Sequence, residues 1–211
     1  MWIVALLGLL GLVGVLYLIA GHDTPPAWER DVVDAMTRLP RVLGLPLEVD
    51  MQLGLRALVP VWMVLAAVVT RRWQPPVAVL VAGLVVGFGT DQLKSWSDRP
   101  RPVGVRIRDH ASGAGFTSGH TANAFAMATV LAVLVLPGRW RWVALALAAG
   151  VGLGRMYVGA HYPLDVLGGA AWGAAVGLAA GLVACLGLAA SGADRGSARP
   201  GCSAGSASSR P

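Results

Sequence analysis

Three short segments of this chain carry the residues that are able to do chemistry, and the sequence between them is mostly apolar. These residues are, in chain order, Lys94, Arg101, Ser118, Gly119, His120, Arg155, His161 and Asp165. Ionisable groups at a membrane are costly unless they are paired or occupied, so we expect them to share a function. The set is typical of phosphate ester chemistry. Cations hold a phosphoryl dianion, one histidine attacks phosphorus, a carboxylate orients that histidine, and a second histidine protonates the leaving oxygen.

The segment from His161 to Asp165 is predicted to lie where a loop becomes a helix. Pro163 is favoured at the first helical position, and the residues after Asp165 are apolar. The carboxylate would then lie in the first turn, where it can reach back to the imidazole, fix its tautomer and stabilise its positive charge. Taken alone, the pair is equally typical of an aspartate that caps its own helix beside an interfacial histidine.

Ser118, Gly119 and His120 precede another apolar stretch in the same way. They place free backbone N–H groups, a hydroxyl and an imidazole at a helix N-terminus, and such an end attracts an anion. For these residues alone, a plain serine N-cap is the simpler interpretation.

Lys94, Arg101 and Arg155 are each typical of cations at a membrane interface. Together they supply three positive charges, and guanidinium groups match phosphate oxygens bidentately. The other charged residues of the loop before Ser118 are interpreted as solvated; they are Arg99, Arg106, Arg108, Asp109 and His110. The positive charge of these arginines would also draw an anionic headgroup toward the site.

The composition is that of a polytopic membrane protein. The chain has 211 residues, of which 55% are hydrophobic and 13% charged, with a mean hydropathy of +0.63; this is too apolar for an ordinary soluble domain. The net charge of +6 comes from 17 Lys and Arg that are scattered between apolar runs, so we expect no nucleic-acid partner. A metal site and a cofactor are not predicted, because the four histidines include no His-x3-His pair.

Six apolar stretches are each near the length that a bilayer requires: 1–20, 52–70, 75–93, 119–137, 141–158 and 164–190. The predicted fold is therefore all-α, a membrane helix bundle with six transmembrane helices in a domain over residues 1–190. Residues 191–211 form a Gly/Ser/Ala/Arg segment without periodicity and are predicted to be a disordered tail.

Six spans place both termini on one side and the loops 21–51, 94–118 and 155–163 on the other, together with all the candidate site residues. Ten of the eleven Asp and Glu lie in or beside those loops, which supports this arrangement. Basic residues occur on both faces and do not orient the protein. We expect a multi-pass protein of the cell membrane with cytoplasmic termini and an extracytoplasmic active site.

Two further patterns concern packing. Apolar residues at helical spacing between Trp28 and Leu39 predict a short helix on the membrane surface, either a connector or a lid that admits a lipid.

Gly169, Gly173, Gly177 and Gly181 recur every four residues and form a ridge on the last span. Such a ridge allows a helix of the same chain to approach closely, or it can serve a homodimer.

In order and spacing, the motifs resemble the three signature motifs of the phosphatidic acid phosphatase type 2 family of lipid phosphatases. The matching segments are Lys94-x6-Arg101-Pro102, Ser118-Gly119-His120 and Arg155-x5-His161-x3-Asp165. The resemblance covers about residues 1–190, and the membrane members of that family agree with a six-span bundle.

This resemblance implies a metal-independent phosphatase with the catalytic residues His161, His120 and Asp165. His161 would be the nucleophile that forms a phosphohistidine, Asp165 would support it, and His120 would be the acid for the leaving group. The phosphoryl group would be held by Lys94, Arg101, Ser118, Gly119 and Arg155. Two positions depart from the family pattern: Thr117 stands where proline is common, and Gly154 stands where serine is common. The second departure removes a hydroxyl that would donate to a phosphate oxygen.

We therefore expect an integral membrane enzyme that hydrolyses the terminal phosphate of a lipid. Phosphatidate-type lipids and polyprenyl diphosphates both fit, and family association favours a prenyl diphosphate or a related cell-envelope lipid. The alternatives are a lipid phosphotransferase that uses the same phosphohistidine, a non-catalytic binder or carrier of lipid phosphates, and a halide peroxidase with a similar vanadate pocket, which the six spans disfavour.

Overall fold

The computed structural model of the protein describes residues 2–20, 24–109 and 112–193. Within these residues the chain forms α-helices and short 3-10 helices, and no strand. The α-helices are α1 Trp2–Ala20, α2 Ala27–Thr37, α3 Arg41–Asp50, α4 Val59–Thr70, α5 Gln74–Ser95, α6 Gly119–Leu134, α7 Trp140–Tyr157 and α8 Pro163–Ala193. The all-α class is confirmed. Helix α8 runs three residues past the predicted domain boundary at 190, and the rest of the predicted tail, 194–211, lies outside the described residues.

A helix occupies each of the six predicted stretches, but the count of six spans is not confirmed. Within the described residues, three helical segments are long and apolar enough to cross a membrane: Trp2–Ala20, Gln74–Ser95 and Pro163–Leu188. A fourth span is obtained if Arg41–Gly54 and Arg56–Thr70, with a bend of 63° between them, are counted together as one span. Helix α6 has 16 residues and is therefore about 24 Å long, shorter than the roughly 30 Å of a hydrocarbon core.

The second predicted span, 52–70, is wrong as a continuous helix. Its α-helical part is only α4, with 12 residues. Before it lie two 3-10 helices, Met51–Gly54 and Arg56–Leu58, separated by Leu55 in an extended conformation. A side chain at Gly54 would lie 2.5 Å from the His120 carbonyl oxygen. Glycine at this position therefore lets the break pass close to the start of α6, which a continuous helix would not do.

Helix α6 lies at the centre of the bundle and packs against α5, α7 and α8. The largest apolar core joins α4, α5, α6 and α8 through small and branched residues such as Ala82, Val86, Ala126, Val130 and Val176. The glycine ridge of α8 faces α6 inside the chain: Gly169, Gly173 and Gly177 lie against Ser118, Ala122 and Ala126, and Gly181 lies against Val133. Of the two roles considered for the ridge, the structure shows packing within the chain, and a homodimer stays a prediction.

The helix predicted between residues 28 and 39 is present as α2, and the face that it packs against the rest of the chain is not its apolar stripe. Trp28 and Val32 are exposed, whereas Glu29, Val33 and Thr37 are buried. The sequence analysis did not predict α3, which packs on α7 and brings Leu47 and Met51 next to the end of α7. Helix α2 contacts both α7 and α8, whereas α3 contacts α7.

Candidate active site

The N-termini of α6 and α8 meet at one point, and the second and third motifs meet with them. Helix α6 begins at Gly119 and α8 at Pro163. The Ser118 N–H donates a hydrogen bond to the Asp165 carbonyl at 3.0 Å. As the sequence pattern predicted, Pro163 is the first residue of its helix and Asp165 lies in the first turn. Two helix N-termini, each with a partial positive charge, therefore point into the same region.

His161 lies at this junction and is almost completely buried, with 2% of its surface exposed. Its Nε2 is 3.3 Å from the Nη1 atom of Arg101. A guanidinium only donates, so Nε2 must be the acceptor and the ring proton is assigned to Nδ1. The lone pair of His161 thus faces the cation of the first motif.

On the other side of the ring, Nδ1 faces the Asp165 carboxylate. The distance from Nδ1 to Oδ2 is 3.6 Å, too long for a hydrogen bond, and the backbone of Gly115 also acts on the ring and favours its charged form. Oδ2 instead accepts the Tyr162 N–H at 2.9 Å. The carboxylate is held by the backbone of its own helix start and lies close enough to approach the imidazole when it becomes charged.

Burial lowers the pKa of His161 well below its usual value of 6.5, and the positive charges of Arg101, Lys94 and Arg155 lower it further. Each of these factors disfavours the imidazolium. The ring is therefore neutral at neutral pH, which is the form that a nucleophile requires.

Arg101 is held rigidly by backbone carbonyls. Its guanidinium donates to the carbonyls of Ser112 at 2.8 Å, Gly113 at 2.9 Å and Ala160 at 2.9 Å. These contacts fix the guanidinium against His161. Because the side chain is already ordered, little further side-chain entropy is lost when an anion binds.

Arg155, at the end of α7, is also buried. Its Nη1 donates to Oδ2 of Asp109 at 2.6 Å and lies 3.9 Å from the sulfur of Met51. Its Nε is buried without a hydrogen-bond partner. A buried guanidinium that keeps an unpaired donor has capacity for an additional acceptor such as a phosphate oxygen.

Lys94 and His120 are both partly buried at the same place. The ionisable groups near the His120 ring are Arg155, His161, Asp109 and Lys94. The structure thus brings the two histidines and the three motif cations into one electrostatic cluster.

Ser118 is completely buried and does not cap α6 through its side chain. Its hydroxyl accepts a hydrogen bond from the Thr121 hydroxyl at 2.9 Å. The simple N-cap interpretation therefore does not describe this serine. Gly119 lies against Thr90 of α5.

The departure at Gly154 has a structural reason. A side chain at this position would place its Cβ 2.6 Å from the Leu47 carbonyl oxygen and 3.0 Å from the Cβ of Met51. Helix α3 occupies the space that a serine would need. Thr117 is completely buried, and its hydroxyl has no hydrogen-bond partner.

The interpretation of the loop charges as solvated is wrong for Arg99, which is buried, and for Arg108, which is held against α7 and α2. Arg108 stacks 4.5 Å above the Tyr157 ring and donates to the Thr37 carbonyl at 3.0 Å. Asp109 pairs with Arg155. Arg106 is exposed as expected, and His110 lies outside the described residues.

Two buried charges lie next to Asp165 and were not identified from the sequence. Arg99 has 1% of its surface exposed and Glu29 has none, and they form an ion pair. The spacing of Glu29 with Val33 and Thr37, at i, i+4 and i+8, was the available signal, because it places the glutamate on the buried stripe of α2. Within the ranges 2–20, 24–109 and 112–193, no group of three or more His, Cys, Asp or Glu side chains is placed to hold a metal ion.

Comparison with known proteins points to one family. The family model described as the PAP2 superfamily matches residues 71–185. Two crystal structures share the fold. The first transmembrane PAP2 type phosphatidylglycerolphosphate phosphatase from Bacillus subtilis is 22% identical, with a TM-score of 0.65 over 94% of this chain and 98% of the other. Aquifex aeolicus LpxE is 23% identical, with a TM-score of 0.58 over 73% of this chain and 92% of the other. No curated protein sequence matches the chain significantly.

Proposed function

The chain belongs to the PAP2 superfamily, and from this premise we propose that it is an integral membrane phosphatase that removes the terminal phosphate of a lipid through a phosphohistidine at His161. Membrane location follows from the apolar helices and the shared fold. The lipid substrate, the covalent intermediate and the roles of single residues are the proposal.

One observation carries it. The Nε2 atom of buried His161 lies 3.3 Å from the Arg101 guanidinium, and on the other side of the ring Nδ1 faces the Asp165 carboxylate at 3.6 Å. A phosphoryl group bound to Arg101, Arg155 and Lys94 would therefore lie on the side of the ring that carries the lone pair. The Gly119 N–H and the N-terminus of α6 add a positive potential there, whereas the Ser118 N–H is already bonded to the Asp165 carbonyl.

In the first step, Nε2 attacks phosphorus in line with the ester bond. The P–N bond forms, the P–O bond to the lipid breaks, and His120 donates a proton to the leaving oxygen. The positive charge that develops on the ring is stabilised by Asp165 through the Nδ1–H. The cations neutralise the charge on the three equatorial phosphoryl oxygens.

In the second step, water attacks the phosphohistidine. His120, now neutral, takes a proton from that water, the P–N bond breaks, and inorganic phosphate leaves as His161 returns to its neutral form. No metal ion is required, because Lys94, Arg101 and Arg155 supply the positive charge.

A lipid substrate fits a site at the ends of membrane helices. The headgroup would enter the cationic cluster while its acyl or prenyl chain remains in the bilayer. We propose phosphatidate-type lipids or polyprenyl diphosphates, with prenyl diphosphates preferred, and a site on the extracytoplasmic face with cytoplasmic termini.

Phosphate release from a panel of lipid phosphates in mixed micelles tests the proposal. The wild type should release phosphate from at least one lipid, keep this activity in EDTA, and lose it by several orders of magnitude in His161→Ala without loss of a monodisperse, helical protein. The labelled intermediate should survive alkali and be destroyed by acid, as expected for a phosphoramidate. Activity retained by His161→Ala would refute the proposal. A phosphorylated product formed from added alcohols would instead identify a phosphotransferase.

A further inference from the structure

Arg99 is the largest fully buried side chain among the described residues, and its guanidinium joins three parts of the chain. Nη1 donates to the Ala20 carbonyl, which ends α1, at 2.7 Å. Nη2 is paired with the Glu29 carboxylate of α2. Nε lies 3.0 Å from Oδ1 of Asp165 in α8, without the alignment of a hydrogen bond. The side chain that orients the proposed nucleophile is therefore itself in contact with a buried cation.

Glu29 contacts both Arg99 and the start of α8. The residue is completely buried, and while Oε2 faces Arg99, Oε1 accepts the Leu164 N–H at 2.8 Å. Leu164 is in the first turn of α8, where backbone N–H groups lack partners within the helix. A carboxylate from α2 thus caps the helix that carries Asp165, at the end where negative charge is favoured.

Three buried charges in contact are not explained by stability alone. Burial of ions is costly, and well-packed apolar residues often serve stability equally well. Here Glu29, Arg99 and Asp165 together carry one net negative charge. The Asp165 carboxylate faces Nδ1 while Arg101 faces Nε2, so the negative charge is on the side of the ring where a positive charge develops when Nε2 is phosphorylated.

Building on the proposed function, we propose that Glu29 and Arg99 are positioning residues for the reaction: they hold the Asp165 carboxylate in place beside Nδ1 of His161 and set the charge that it presents to the ring. Neither residue touches the substrate. Arg99 fixes the side chain of Asp165 and Glu29 fixes both Arg99 and the start of α8. Helix α2 then supports the start of the catalytic helix α8 through the hydrogen bond from the Leu164 N–H to Glu29.

The consequence is an effect on turnover rather than on binding. Glu29→Gln keeps the shape and an acceptor for the Leu164 N–H but removes one negative charge. The positive ring is then less stabilised, so kcat should fall by about tenfold, as for loss of a hydrogen bond to a charged group, with KM unchanged. A lower negative charge also disfavours protonation of His161, so the acidic limb of the pH profile should move to lower pH.

A double-mutant cycle separates this role from a general loss of structure. The single variants Glu29→Gln and Asp165→Asn and their combination are compared by kcat on the lipid with the highest wild-type rate. If Glu29 acts through Asp165, its substitution should have little effect in the Asp165→Asn background, because residues that act as a unit are not additive. Asp34→Asn is the matched control, since Asp34 is on α2 but pairs with exposed Arg38; it should leave kcat, KM and the pH profile unchanged.

The outcomes are distinct. If Glu29→Gln lowers kcat equally in the wild-type and Asp165→Asn backgrounds, or in neither, the inference on Glu29 and Arg99 is overturned. The proposed function still holds in that case, provided that His161→Ala is inactive. An active His161→Ala overturns the proposed function instead. If Glu29→Gln does not give a monodisperse protein, Arg99→Lys enters the same cycle, where it keeps the positive charge and should retain more activity than Arg99→Gln; equal loss in these two variants also overturns the inference.

Discussion

Asp109 and Arg155 form a close ion pair, with 2.6 Å between the carboxylate Oδ2 and the guanidinium Nη1. Arg155 is almost completely buried, whereas 42% of the Asp109 side chain is exposed. The backbone N–H groups of Arg108 and Asp109 both lie near the Val158 carbonyl, which holds this part of the loop over the end of α7. A carboxylate of the chain thus occupies a donor that the proposed mechanism assigns to phosphate.

The first prediction follows from this competition. Asp109→Asn removes the charge that competes with the phosphate for Arg155, so KM should fall while kcat changes little. Because Asp109 is well exposed, the pair contributes at most about 1 kcal/mol, and the decrease in KM should be roughly two- to fivefold. Asp98→Asn, an exposed position of the same loop, is the control and should leave KM unchanged. An increase in KM for Asp109→Asn would show that the carboxylate helps to bind substrate.

The second prediction concerns pH. Only neutral His161 has a free lone pair, and its pKa is lowered well below 6.5 by burial and by Arg101, Lys94 and Arg155. The acidic limb of kcat/KM should therefore lie below pH 6.5, with activity lost only as the pH falls through the lowered pKa. Arg101→Gln removes one positive charge, so the pKa of His161 rises and the limb moves to higher pH at reduced overall activity. The pH profiles of the wild type and of Arg101→Gln are measured on the same substrate, so that the ionisation of the substrate contributes equally to both. An acidic limb at the same pH in the two enzymes would contradict the assignment of this limb to His161.

The third prediction separates the two histidines by leaving group. If His120 is the acid for the departing oxygen, His120→Ala should lower the rate of alkyl phosphate hydrolysis by roughly 10²- to 10⁴-fold. The same variant should lose much less with a nitrophenyl phosphate, whose leaving group needs no proton. His161→Ala should abolish hydrolysis of both. Equal losses for both substrates in His120→Ala would place this histidine in phosphate binding rather than in proton transfer.

The helices of the bundle were predictable from the sequence because their apolar runs are long and bounded by charge or proline. The start of α8 was also predictable, since Pro163 and the apolar residues after Asp165 fix it locally. The break before α4 was not, because Gly54 and Leu55 interrupt an apolar run only where the chain must pass the start of α6. Such a close approach is a property of the tertiary structure and leaves little trace in hydropathy.

The candidate site was also predictable from the sequence only in part. The residues of the motifs could be selected from their types and spacing, and the structure places them together, but their roles await experiment. Glu29 and Arg99 were not selected, because a charged residue in a loop or a short amphipathic helix is usually solvated and their pairing spans 70 positions of the chain. The absence of a serine at 154 was visible in the sequence, but its cause, the backbone of α3 at Leu47, was not.

The fourth prediction tests how the glycine ridge holds the site together. A Cβ at Gly173 would overlap the carbonyl group of Ala122, whereas Gly187, on the same helix, has open space around it. Gly173→Ala should therefore force α6 and α8 apart and destabilise the protein by about 1 to 3 kcal/mol, as overpacking does. Gly187→Ala should be neutral or stabilise by up to about 1 kcal/mol through helix propensity. Thermal unfolding in detergent measures both, and phosphatase activity should fall with Gly173→Ala alone, because the separation of these two helices moves Ser118 away from Asp165. Equal stability of the two variants would mean that the contact between α6 and α8 is not the one that holds the two motifs together.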